Sequence, residues 1–159
     1  MVVWSDFERQ APAMATAGRK LLYQFGIGLG FLATIRADGG PRLHPICPVL
    51  LDGHLYGLIG PSPKRRDLLR DGRYALHSFP SPDRDDEFYL TGRGQARQDA
   101  QLTAAVRTAF LATGGTSSND ELLFELLVEH ALLATYKPRG QPNNWPPLYT
   151  KWHAPGSRD

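Results

Sequence analysis

Two short glycine turns, Ala37-Asp38-Gly39-Gly40 and Asp52-Gly53, bracket one stretch of chain, residues 42–51. Both have the chemistry of tight hairpin turns, whose central residues need a positive φ that glycine adopts freely and aspartate tolerates. A hairpin turn fixes its flanking strands as antiparallel neighbours. The pair of turns therefore predicts an antiparallel meander of residues 31–36, 42–51 and 55–59. Pro45 and Pro48 interrupt the middle strand, and neither can donate to a ladder. They confine it to an edge, a bulge, or a face where the N–H is not needed.

The meander runs directly into Ser62-Pro63-Lys64-Arg65-Arg66, followed by Leu68 and Leu69. Ser62 is a natural N-cap, and Pro63 suits the first helical position because its missing N–H would have had no partner there. Gly72 after Asp71 closes the helix, so the pattern predicts a helix over 63–70. Its free N–H groups and the positive end of its dipole point at whatever lies above them. Lys64 and Arg65 add two full charges at the end of a helix where the dipole repels cations. An anion resolves that conflict, and a phosphate suits it.

The remaining segments extend the pattern. Residues 74–79 read as a fourth strand, and 80–86 as a polar surface loop expected to be the most mobile part of the chain. Residues 87–98 read as a fifth strand, with Gly92 and Gly94 marking a bend or bulge. Residues 99–113 form an amphipathic helix with Leu102, Val106, Phe110 and Leu111 on one side. The run 122–136, LLFELLVEHALLATY, fits a buried helix or a strand, and periodicity alone does not separate them. Its neighbours favour a strand that closes a barrel, with a local turn near Glu129-His130. Ahead of the meander, residues 5–25 have helical spacing broken by Pro12, read as one broken helix or two short ones packing on the barrel rather than forming its core. Gly26, Gly28 and Gly30 precede a strand instead of joining a strand to a helix, so they are no dinucleotide fingerprint. The tail from Lys137 is proline-rich and extended before a strand-like stretch at 148–152. The sum is a mainly β fold: about six antiparallel strands in a small barrel with peripheral helices.

A chain of 159 residues suits one domain spanning 1–159, with an N-terminal helical segment (1–27) and an extended tail (137–159). A net charge of +2 implies no nucleic-acid partner, and basic residues do not alternate with aromatics along any face. The single cysteine, Cys47, excludes an internal disulfide and makes a reduced, cytoplasmic compartment the default. No run of about 18 apolar residues exists to span a membrane, and the N-terminus is charged where a signal peptide would be apolar.

In order and spacing, the strand, DGG turn, strand, DG turn, strand, Ser-x-Lys-Arg-x-x-Leu helix and strand of residues 32–78 resemble the FMN-binding split-barrel proteins related to pyridoxamine 5'-phosphate oxidase. The resemblance covers about residues 28–136. It implies a Greek-key split barrel and a homodimer with two flavin sites at its interface. It places the isoalloxazine ring against His44-Pro45-Ile46-Cys47 and the phosphate on Ser62, Lys64 and Arg65. Leu58 and Ile59 then line the neighbouring strand, and Glu87 approaches the ring from the partner subunit. It implies a flavin-dependent oxidoreductase acting on a small molecule. Pyridoxamine phosphate oxidase itself differs here, having an arginine in place of His44 and a tyrosine-threonine pair in place of Gly57 and Leu58. Its C-terminal arginine and tryptophan pattern is not recognisable in KWHAPGSRD. The likeness is therefore to the broader set of relatives that use FMN or a deazaflavin coenzyme, whose longer anionic tail Arg65, Arg66, Arg70 and Arg73 would meet. Some relatives of the fold instead bind haem, for which His44, His77 or His130 would be the axial ligand.

The other chemistry-bearing residues have simpler readings. Cys47 lies in a strand with no His/Asp arrangement about it, and reads as a buried, inert thiol. His54 falls in a turn, and His130 and His153 have no companion at metal-ligand spacing. Trp145, Tyr149 and Trp152 either anchor the tail to the barrel or cover a flavin edge from the partner chain.

Overall fold

In a computed structural model describing residues 1–81, 84–143 and 145–157, the stretch between the two glycine turns is broken in two at Cys47. β2 (Pro41–Ile46) pairs with β1 (Gly30–Ile35), and β3 (Pro48–Leu51) pairs with β4 (His54–Ile59). β5 (Arg73–Ser78), β6 (Glu87–Arg97), β7 (Leu122–Thr135) and β8 (Leu148–His153) complete the sheet. Its order is β2-β1-β5-β6-β7-β4-β3, with β8 also on β7, and every pair is antiparallel. The strands at the two ends of that order are consecutive in the chain, joined by Cys47 alone. The sheet must therefore curl until its ends meet, which makes it a barrel split at that junction. Pro48 starts β3, where a strand's first residue can do without a ladder N–H.

Eight strands replace the expected six. The second strand is two pieces, and the tail's strand-like stretch is a true strand. The ambiguous run is one 14-residue strand, β7, in place of a strand with a turn. At the expected turn there is a bulge instead: the register shifts between Thr91 and Gly92, leaving Glu129 as the extra residue between Val128 and His130. Gly92 is required there, because a Cβ would lie 1.8 Å from the Leu127 carbonyl oxygen. At the second hairpin Asp52 and Gly53 both have positive φ (48° and 77°), as the sequence predicts.

Inward-facing Leu32, Leu76, Leu90, Phe124 and Leu126 form the main core. α1 (Trp4–Gln10) and α2 (Pro12–Leu22), separated at Ala11, are part of it rather than packed outside it. Trp4, Phe7, Met14, Ala15, Leu21 and Leu22 are buried, and the Trp4 ring meets the edge of Phe7 at 5.3 Å. A curled sheet of this size needs more than its own inward side chains to fill it, and the two helices supply that volume. Helical periodicity identifies an apolar face but not which face of a sheet receives it. α4 (Ala100–Ala112), capped by the Asp99 carboxylate accepting from Leu102 N–H at 2.9 Å, covers the outer face of β3 and β4. Val106 and Phe110 are buried beneath it, while Leu111 points to solvent.

On β2, β1, β5 and β6 the alternate residues point outward, and these stay partly or fully exposed: Leu43, Pro45, Phe31, His77 and Tyr89 among them. No helix among the described residues is long and apolar enough to cross a membrane. The loop 80–86 includes Pro82 and Asp83, so the mobility expected of it falls in part outside the described residues.

Candidate cofactor site

α3 (Pro63–Arg70) starts as the sequence predicts. Ser62 is extended (φ −159°, ψ 162°), and its hydroxyl donates to the Gly60 carbonyl at 3.0 Å and accepts weakly from Arg65 N–H at 3.4 Å. No acidic residue lies in the first turn. Lys64 Nζ donates to the Pro45 carbonyl on β2 at 2.9 Å, and Arg65 donates to the Asp120 carbonyl at 2.8 Å. Both cations are therefore steadied by neutral carbonyls, and among the described residues neither has a carboxylate partner. Burial pushes the Lys64 ammonium below the ordinary lysine range. The helix thus presents uncompensated positive charge at an N-terminus whose Arg65 N–H is only weakly capped.

The same helix is anchored by a carboxylate that sequence reasoning did not find. Asp67 is buried and accepts from Thr34 Oγ1 (3.0 Å), Arg42 Nε (2.7 Å) and Arg70 Nη1 (3.3 Å). Burial alone would raise its carboxyl, but hydrogen bonds from Arg42, Thr34 and Arg70 hold it below the usual range. Asp67 thereby ties α3 to β1 and β2 at a fixed height. An aspartate on a helix's apolar side, beside Leu68, was the available signal, since a buried carboxylate demands partners. Arg70 also donates to the Ile35 carbonyl, and Arg73 pairs with Asp71, leaving Arg65 and Arg66 as the α3 arginines without a carboxylate partner among the described residues.

The other expected site residues are distributed around this helix start. Pro45 is exposed on the outer face, and its carbonyl meets Lys64. Cys47 is part-buried rather than buried, beside Lys64, and burial pushes its thiol up. His44 pairs with Leu32 and shares its inward side, with Nε2 buried and, among the described residues, without a hydrogen-bond partner. The Ile46 and Ile59 side chains belong to the main core, and Leu58 packs under α4, so these three offer a ligand their backbone more than their side chains. Among the described residues β2 has a strand partner on one side only, and the Pro45 carbonyl of β2 is met by Lys64. Glu87 opens β6, separated from β2 by β1 and β5, roughly 14 Å by strand spacing, and stands near His77 (3.9 Å).

Two further clusters escaped the sequence reading. His54 is no idle turn residue. It opens β4, and its Nδ1 lies 2.6 Å from Oε1 of buried Glu125, whose other oxygen accepts from Arg97 at 2.8 Å. Across the β7–β8 pair, the His130 and His153 rings stand 4.4 Å apart, with Tyr89 6.2 Å from His130. Strand pairing alone brings these residues together, and no sequence spacing announces it. Trp152 packs on the main core and so anchors the tail, while Trp145 and Tyr149 are exposed.

No protein-family model matches the sequence, and no curated protein matches it. Solved structures do share its fold. A NimC/NimA family protein from Clostridium acetobutylicum superposes with a TM-score of 0.62 at 14% identity, covering 88% of this chain and 94% of that one. A Listeria innocua protein named for pyridoxamine 5'-phosphate oxidase gives 0.58 at 18% identity, covering 75% and 95%. A heme binding protein from Mycobacterium smegmatis gives 0.62 at 20% identity, covering 86% of this chain but only 57% of that one. The chain has the split-barrel fold that these neighbours share.

Proposed function

We propose that the chain is a homodimeric, FMN-binding oxidoreductase of the cytoplasm that acts on a small molecule. The observation that carries this reading is the start of α3: a helix N-terminus, Lys64 and Arg65, all without a counter-ion among the described residues, seated against β2. A phosphate monoester fits that donor set. Ser62, Lys64 and Arg65 would hold the phosphate, and the backbone of residues 44–47 would orient the ring. Bound FMN would supply hydride or electron transfer; the protein's part is to fix the cofactor and limit water around it. The partly exposed outer face with Leu43, Pro45, Phe31 and Tyr89 suits a second copy of the chain, which would bring Glu87 and His77 to the ring from across the interface. The carboxylate partners of Arg70 and Arg73 favour FMN over a deazaflavin coenzyme with a longer anionic tail.

The test is the visible absorption spectrum of the purified protein, with mass identification of any released cofactor. Flavin bands, or saturable quenching of added FMN fluorescence, support the reading. A colourless protein that leaves FMN fluorescence unchanged overturns it. A second reading, haem on the outer face, is favoured by the convergence of His130, His153 and Tyr89. It predicts a Soret band on adding haemin that is lost in His130→Ala.

A further inference from the structure

A cavity of about 460 Å3 opens at the mouth of the barrel, sharing no residue with the α3 site. Ala17, Lys20 and Leu21 of α2 form one wall; Leu133 near the end of β7 faces them, and Arg84 and Asp86 line the rim. Its size falls in the range of small-molecule sites, roughly 300–1,000 Å3.

Two of the polar groups of this cavity are fixed by neighbours. Asp86 accepts from Tyr136 N–H at 2.8 Å and from Arg84 Nη1 at 3.2 Å, so the Arg84 and Asp86 charges cancel in place. Gln24, also lining the cavity, donates to the Phe79 carbonyl at 2.7 Å, pinning the turn after α2 to the end of β5. Lys20 differs: among the described residues it has no carboxylate within ion-pair reach. The walls are thus apolar through Ala17, Leu21 and Leu133, and the charges of the described lining residues sum to one net positive charge.

We propose that this cavity binds a small monocarboxylate with an apolar body, aromatic or branched aliphatic. Its carboxylate pairs with Lys20 and its apolar part lies against Leu21 and Leu133. A cationic ligand would oppose Lys20, and a neutral one would leave the ammonium without an ionic partner.

Phenylacetate titrated into methyl-labelled protein tests this by NMR, with phenylacetamide as the neutral control. The expected result is saturable shifts at the Ala17, Leu21 and Leu133 methyls. Lys20→Gln should weaken phenylacetate by about three- to fivefold, the size of a solvent-exposed charge pair, and leave phenylacetamide unchanged. Lys20 is exposed, so the variant keeps its fold. Absence of saturable shifts at these methyls, or an equal effect of Lys20→Gln on both probes, overturns the proposal. The experiment gives the same answer with or without FMN, so its failure is separate from failure of the flavin reading.

Discussion

Replacing Asp67 by alanine should cost about 2–4 kcal/mol of stability, because its three hydrogen-bond donors do not lose equally. The Thr34 hydroxyl is buried and would be left without an acceptor, a loss of roughly 1–3 kcal/mol. Arg42 is 30% exposed and recovers part of its loss from water, leaving about 1 kcal/mol. Arg70, 41% exposed and at 3.3 Å, contributes no more than a surface pair, below about 0.5 kcal/mol. For a chain of this length the sum corresponds to a fall in Tm of about 5–15 °C. Urea and thermal denaturation of D67A, R42A and the double variant measure both the loss and the coupling between the two residues. Because Asp67 fixes α3 to β1 and β2, D67A should also weaken FMN binding although it touches no ligand. A loss below about 1 kcal/mol, or a coupling energy below about 0.5 kcal/mol, would refute the claim that this carboxylate anchors the helix.

Gly92→Ala should destabilise by more than about 2 kcal/mol, since the new Cβ meets the fixed Leu127 carbonyl at 1.8 Å, whereas Gly60→Ala, with open space around it, should be near neutral; chemical denaturation separates them. Glu125 would be raised by burial alone, but hydrogen bonds from His54 and Arg97 hold it below the ordinary value of 4.5. Its contribution is therefore present above that unfolded-state value and is lost as pH falls through the lower folded-state value. The urea midpoint should drop between pH 7 and pH 3, and Glu125→Gln should flatten part of that drop; an unchanged pH slope would contradict the assignment. Ser62→Ala should cost at most about 1 kcal/mol, because the capping bond is long at 3.4 Å, and thermal melts will show it.

What the sequence disclosed follows from how local each feature is. The hairpins at Asp38-Gly39 and Asp52-Gly53 and the capped start of α3 depend on adjacent residues, and all three are where the residues place them. β7 was ambiguous because an apolar run buried on both sides has no period. Its bulge lies opposite Gly92, where the sequence marks a bend or bulge, but that Glu129 is the extra residue follows from a pairing between strands that local pattern cannot express. The burial of Trp4 and Phe7 was missed for a related reason: the space they fill is created by strands far along the chain. Within the site, Lys64 and Arg65 were legible as charges at a helix start. The bond from Lys64 to Pro45, and Asp67 bridging to Thr34 and Arg42, required the fold to bring α3 onto β2.

The central claim is that the start of α3 holds a phosphate, and riboflavin is FMN without that phosphate. Equilibrium binding of both flavins to the protein and to the Lys64→Ala/Arg65→Ala variant, followed by fluorescence quenching, isolates the phosphate's contribution. The account predicts that FMN binds at least about tenfold more tightly than riboflavin, a difference of about 1.4 kcal/mol, and that the variant loses most of that preference while its affinity for riboflavin holds. Equal affinities for the two flavins, or a preference that survives removal of both cations, would contradict it.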